Sequence, residues 1–209
     1  MINHDLKFIF VHIPKCGGSS IETMFDAWTV PGNKEKYYIS HPAEYNDTVA
    51  EYEKTDRQHL PLNDILKKFP QCSNYFKFTF IRNPFSRIVS EFLYLKKFER
   101  ISVETTFKQF CSNLENIIKH NATPFHDRSL VDYVSGSDFD YIGRVENFQD
   151  DFKHSVCKKI GLTPQLPPHE NKSEKKHKHY TEYYDEKTKQ IVEEKYAKDI
   201  EYFGYKFGE

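Results

Sequence analysis

Residues 8–25, FIFVHIPKCGGSSIETMF, decide the fold. Phe8, Ile9, Phe10, Val11 and Ile13 form a nearly continuous apolar run of β-formers, which predicts a buried strand over Lys7–Ile13. The run empties into Pro14, Lys15, Cys16, Gly17, Gly18, Ser19 and Ser20. Beyond it Ile21, Met24, Phe25 and Trp28 are spaced to cover one face of a helix that Ser19 or Ser20 can cap. A strand that turns through glycines into a helix is how a chain builds a phosphate cradle. Gly17 and Gly18 let backbone N–H groups approach an anion closely, the two hydroxyls add donors, and the helix dipole favours negative charge. Lys15 stands beside them. The nucleotide-triphosphate loop G-x-x-x-x-G-K-[ST] does not fit, because no lysine follows Gly18 and position 13 is Ile where that motif needs Gly.

The same unit recurs downstream. Leu62–Phe69 reads as a short helix between Pro61 and Pro70, and Tyr75–Ile81 as a second strand. Arg82-Asn83-Pro84 breaks that strand, and Phe85–Phe98 carries Ile88, Val89, Phe92 and Leu95 at helical spacing. Arg82 closes the strand while Ser90 falls near the second turn of the helix, an arginine fork and a hydroxyl suited to a second, separate phosphate. One ligand with phosphate at both ends fits the two turns. Val103–Ile118 predicts a further helix, and Tyr141–Val145 a short strand leading into a helix from about Asn147 to Ile160, ended by Gly161. The last helix, Asp185–Phe203, places Val192, Tyr196, Ile200 and Phe203 on one face with Gly204 as its cap. Strands alternating with helices predict a parallel α/β sheet with ligands at the C-terminal strand ends. The stretch from Pro31 to Arg57 and the segment LTPQLPPHENKSEKKHKHY at 162–180 read as loops.

At 209 residues the chain supports one sizeable core, and a single domain over 1–209 is expected. Its 18 Phe and 14 Tyr predict a core and clefts rich in aromatic rings. A formal net charge of -1 leaves no global positive field to gather nucleic acid or an acidic membrane surface, so anion binding must be local. No run approaches the roughly 18 apolar residues of a membrane span, and MINHDLKFIFVHIPK lacks the pattern of a leader. The expectation is a cytoplasmic protein, or one of the Golgi lumen if the chain is a trimmed form. Cys16, Cys72, Cys111 and Cys157 form no C-x-x-C pair, which argues against a zinc site or redox dithiol and for free thiols.

The segments IPKCGGSSIE and FIRNPFSRIVSEF resemble the 5′-phosphosulfate loop and the 3′-phosphate motif of sulfotransferases that use 3′-phosphoadenosine 5′-phosphosulfate, PAPS. The resemblance extends, in the family's order, to IGRVENF, LPPHENKS and the closing YAKDIEYFGYKF. It is nearest to the carbohydrate enzymes of chondroitin, dermatan and 2-O-uronosyl type. It implies a P-loop-like three-layer α/β domain, a central parallel sheet flanked by helices, that transfers a sulfuryl group to an acceptor hydroxyl, expected on a sugar or glycan. Lys15 then meets the 5′-phosphosulfate, with Cys16, Gly17, Gly18, Ser19 and Ser20 around the same group, and Arg82 and Ser90 meet the 3′-phosphate. Lys172 and Ser173 match the family's late Asn-Lys-Ser segment and are expected to close over the nucleotide. HLPL at 59–62 resembles the short segment that supplies the catalytic histidine in soluble sulfotransferases, which makes His59 the expected base, with His41 second and Arg57 as an orienting group. Lys175, Lys176, His177, Lys178 and His179 could rim the site of an anionic acceptor. A lysine can neutralise the leaving oxygens without a metal, and no metal is implied. The alternatives are a P-loop nucleotide kinase or phosphotransferase, which would need Mg²⁺ and an acidic ligand, and a non-catalytic nucleotide-binding protein.

Overall fold

A computed structural model describes residues 1–25, 59–121, 125–167 and 178–209. Their contacts group into two compact units, Met1–Ile81 with Tyr133–Lys172, and Arg82–Asp132 with Ser173–Glu209.

The first unit holds the sheet. Its strands are β1 (Ile2–Asn3), β2 (Phe8–Val11), β3 (Phe76–Ile81) and β4 (Tyr141–Arg144), in the spatial order β1-β2-β3-β4. β2, β3 and β4 run parallel, in a register that sets Phe8 beside Phe76 and Ile81 beside Arg144. β1, which sequence reasoning did not find, adds an antiparallel edge with Ile2 beside Ile9. The expected parallel α/β sheet is therefore present. Alternation explains its burial on both sides: Phe8, Phe10, Phe78 and Phe80 point into one core with Ile21, Phe152, Val156 and Ile160, while Ile9, Val11, Thr79 and Ile81 are buried as well. Neighbouring rings pack at centroid distances of 5.5 Å (Phe8–Phe78), 5.1 Å (Phe10–Phe78) and 4.8 Å (Phe80–Phe148). Each fully buried Phe contributes about 1.5–3 kcal/mol relative to exposure, so this ladder anchors the strands whose ends carry the candidate site. Thr79 adds a cross-strand bond by donating its hydroxyl to Val11 O at 2.7 Å.

Helices α1 (Gly18–Met24) and α2 (Leu62–Lys68) belong to the same unit. The helix expected from about Asn147 to Ile160 is continuous but irregular. A 3₁₀ turn at Val145–Asn147 and α7 (Phe148–Asp150) lead through π turns at Asp151–Val156 into α8 (Cys157–Lys159), with Gly161 left-handed beyond it.

The second unit is helical. Asn83 caps α3 (Pro84–Lys97) by accepting from Phe85 N–H at 3.1 Å, and Pro84 opens the helix where an N–H would have no partner. The single helix expected over Val103–Ile118 is two, α4 (Phe107–Ser112) and α5 (Leu114–Asn121). Thr106 and Gln109 form a reciprocal capping box that fixes the later start, and Asn113 leaves helical backbone between them. A short α6 (Leu130–Val134) straddles the boundary of the two units. The expected terminal helix is also split, into α9 (Glu186–Lys195) and α10 (Ala197–Phe203), with a bend at Tyr196 that keeps the flanking bonds: Tyr196 N–H reaches Val192 O and Ile200 N–H reaches Tyr196 O. Gly204 caps α10 in the left-handed region as expected. Phe85, Ile88, Phe92 and Leu95 of α3 form this unit's core with Phe107, Phe110, Leu114, Ile118, Val192 and Tyr196. No helix among the described residues is long and apolar enough to cross a membrane.

Candidate active site

The first turn leaves β2 at Val11. Pro14 and Lys15 occupy the middle of a turn closed by Cys16 N–H to Ile13 O at 3.2 Å, and Lys15 lies at φ +64°. Proline second and a positive φ third is the pattern of a type II turn, which ordinarily puts glycine where this chain puts lysine. A side-chain-bearing residue there costs about 1–2 kcal/mol, and such strain clusters where function holds it in place. Gly17 follows at φ +80°.

The helix begins directly after it, which corrects the expected cap. Gly17 is the N-cap and makes no side-chain bond, so Ser19 and Ser20 stand inside the first turn, both half-buried. The glycines have a packing role beyond the one anticipated. A Cβ on Gly17 would come to 3.1 Å from the Phe148 ring, and one on Gly18 would fall 2.1 Å from Cδ2 of His12. Cys16 is 1% exposed, with its N–H committed to the turn. All four cysteines are buried free thiols, and burial followed by the Asp185 carboxylate pushes Cys111 up to about 12.

Behind the turn sits a buried polar cluster. His59 is 4% exposed and its Nδ1 lies 2.8 Å from His12 O. A carbonyl oxygen only accepts, so the neutral His59 ring carries its proton on Nδ1 and its lone pair on Nε2. His12 Nδ1 in turn donates to Glu22 Oε1 at 2.9 Å, and the two imidazoles meet edge to face with centroids 4.7 Å apart. Sequence reasoning singled out His59 and missed His12 and Glu22. The available signal was a lone polar residue inside the apolar strand run.

In the second unit Arg82 donates from Nε to Ser86 Oγ at 2.9 Å, which fixes the plane of the guanidinium along the face of α3. Ser90 lies one turn beyond Ser86 on that face and is half-buried. Ser86 is thus a further member of this site that the sequence did not single out. Arg87, the motif's other arginine, is 2% exposed and spent on structure: its guanidinium donates to Arg128 O at 2.9 Å and His126 O at 3.3 Å.

The late segments act through packing where they are described. Gly143 admits the Phe80 ring, since a Cβ there would lie 2.5 Å from Cε1, and Phe148 covers Gly17. Glu146 is exposed. Lys178 donates to Glu182 O at 2.8 Å and His179 Nδ1 lies 2.7 Å from Thr181 Oγ1, so both serve the 3₁₀ turn at Tyr180–Tyr183. Lys172, Ser173, Lys175, Lys176, His177, His41 and Arg57 lie outside the described residues. Among the described residues no group of His, Cys, Asp and Glu could hold a metal ion.

Comparison with known proteins bears on the family and the fold. An uncharacterized protein of Archaeoglobus fulgidus is 35% identical over 92 residues, 44% of this chain and 72% of that protein. The crystal structure of a sulfotransferase from Alicyclobacillus acidocaldarius superposes with a TM-score of 0.51 at 14% identity, covering 96% of both chains, so the fold is shared. A model of the sulfotransferase family matches residues 1–206. With that match running almost from end to end, the chain belongs to the sulfotransferase family, enzymes that move the sulfuryl group of PAPS to an acceptor.

Proposed function

We propose that the protein is a PAPS-dependent sulfotransferase whose acceptor is a hydroxyl on a carbohydrate. Lys15, the N–H groups of Gly17, Gly18 and Ser19 and the hydroxyls of Ser19 and Ser20 hold the 5′-phosphosulfate end, with Cys16 buried in the turn behind them. Arg82 and Ser90 hold the 3′-phosphate, with Lys172 and Ser173 assigned to the nucleotide by family resemblance alone. The first turn suits a tetrahedral anion: Lys15 and Gly17, both left-handed, frame a concave stretch of backbone, and the lysine brings the positive charge.

The observation that carries the mechanism is the His59–His12 bond at 2.8 Å. It leaves Nε2 as the basic nitrogen of a ring that cannot turn over without losing its partner. His59 takes the acceptor's hydroxyl proton on Nε2 as the acceptor oxygen forms its bond to sulfur, and the bond from sulfur to the 5′-phosphate oxygen breaks. Lys15 stabilises the negative charge that collects on the departing phosphate. His12 O then stabilises the imidazolium through its Nδ1–H.

Calorimetric titration with 3′-phosphoadenosine 5′-phosphate, with and without Mg²⁺ and against ATP, tests the donor site. Binding is expected to be independent of the metal, to prefer the 3′-phosphate, and to weaken at least about tenfold in Arg82→Ala, since a charge-assisted fork is lost. A preference for Mg-ATP would replace this reading with a phosphotransferase. For the base, His59→Ala should bind the nucleotide within about threefold of wild type and lose roughly 10²–10⁴ in transfer of label from PAPS to a panel of sugars. Equal turnover by wild type and variant would remove His59 from the chemistry.

A further inference from the structure

One buried polar cluster has members that the transfer as proposed does not use. Glu22, in the middle of α1, is 0% exposed, and His12, just past β2, is 5% exposed. Their bond, His12 Nδ1 to Glu22 Oε1 at 2.9 Å, puts an ionisable pair inside the unit whose core is built of Phe and Ile, with the buried Met1 ammonium near enough to interact with Glu22. Such a pair is a poor way to fill a core, because apolar side chains of similar volume stabilise at least as well.

The geometry around His12 shows what the pair holds. Its backbone oxygen receives the Nδ1 proton of His59 at 2.8 Å, and its ring stands at 83° to the His59 ring with centroids 4.7 Å apart. On its other side Gly18 lies so close that a Cβ would fall 2.3 Å from His12 Nε2. His12 is therefore clamped between Glu22 and Gly18 while it touches His59 through both backbone and side chain.

We propose that His12 and Glu22 are positioning residues for the transfer step: Glu22 fixes the His12 ring, and His12 holds His59 in the one tautomer and orientation that present Nε2 to the acceptor. This rests on His59 being the base. Both residues are buried and act through His59. Their effect is thus on turnover and on the state of the His59 ring, not on nucleotide affinity.

Nitrogen-15 spectra of the labelled protein, with His59 assigned from the His59→Ala spectrum, report which ring nitrogen is protonated. Wild type is expected to show His59 protonated at Nδ1; protonation at Nε2 alone would overturn the proposal even if no variant folded. Glu22→Ala should blur that single tautomer and lower kcat by roughly 10–100-fold with 3′-phosphoadenosine 5′-phosphate binding within about threefold, the scale of effect that slight misplacement of a catalytic group produces. Glu22→Gln keeps an oxygen to accept the His12 proton and should recover kcat to within about fivefold of wild type. A matching loss of nucleotide affinity in Glu22→Ala would reduce the pair to a structural role and overturn the proposal. Loss of transfer in His59→Ala beside an unaltered Glu22→Ala would overturn it alone, whereas full transfer by His59→Ala would remove the base and the proposal together.

Discussion

Lys15→Gly is expected to lose transfer while the protein becomes slightly more stable. The two effects separate because they reside in different parts of one residue. The backbone of Lys15 sits at φ +64° in a turn closed by Cys16 N–H and Ile13 O. A side chain costs about 1–2 kcal/mol there and glycine nothing, while the extra freedom of glycine in the unfolded chain returns about 0.5–1 kcal/mol of that gain. The net is a stabilisation of up to about 1.5 kcal/mol, or a rise of up to roughly 3–6 °C in thermal midpoint for a chain of this length. The ammonium group, by contrast, is the charge assigned to the leaving phosphate, and removing one such stabilising group costs about 10²–10³ in kcat. Lys15→Ala supplies the control: it loses the charge and keeps the strain, so its transfer should fall as far with its midpoint at or below that of wild type. Scanning calorimetry beside a PAPS transfer assay reads both. A glycine variant that is less stable than the alanine variant would show that the turn does not carry the strain its dihedral angle implies.

Strand and helix were legible in the sequence wherever local pattern and tertiary burial agreed. β2 follows directly from FIFV, because a parallel strand covered on both faces has to be apolar nearly throughout, and β3 from FKFTFI, where Phe alternates with Lys77 and Thr79 before an apolar end. Asn83-Pro84 marks the start of α3 for an equally local reason, a side chain that accepts the first orphan N–H before a residue that lacks one. What local pattern could not show was where a regular helix would be interrupted. Asn113 and Tyr196 each break an apolar stripe that continues on both sides, and the stripe is what periodicity detects.

The donor side of the candidate site was legible for a different reason: glycines, lysine, arginine and serine near strand ends are chemistry in short segments. The group that holds His59 was not. His12 is separated from His59 by 47 positions and from Glu22 by 10, and their association depends on how the strand end and α1 pack. The role of Gly18 was half legible. Its place after Gly17 pointed to a phosphate cradle, whereas its contact with the His12 ring belongs to tertiary structure alone.

Gly18→Ala follows from that contact, and its expected sign is the reverse of what helix propensity gives. Gly18 opens α1 with an ordinary negative φ, so propensity alone would credit alanine with at most about 1 kcal/mol. The new Cβ would lie 2.1 Å from Cδ2, 2.3 Å from Nε2 and 2.5 Å from Cγ of His12, on top of the ring and not at the end of a flexible chain. The ring has to move by more than 1 Å, and overpacking of this kind costs about 1–3 kcal/mol. Movement also pulls His12 Nδ1 from Glu22, whose carboxylate is 0% exposed, and breaking a buried pair costs about 3–5 kcal/mol. These terms share the same displacement and do not add in full, but either exceeds the propensity gain. The net expected loss is about 3 kcal/mol, a fall of roughly 6–12 °C in midpoint. Gly136→Ala calibrates the measurement: Gly136 is left-handed at φ +68° with nothing within 4 Å of its Cβ position, so only the backbone cost of about 1–2 kcal/mol applies. Gly18→Ala should therefore be the less stable of the two, and its surviving folded fraction should turn over slowly because His59 loses the oxygen and ring that hold it. A Gly18→Ala protein as stable as wild type would mean that His12 has room to step aside, and the His12–Glu22 bond would then have no claim to fix His59.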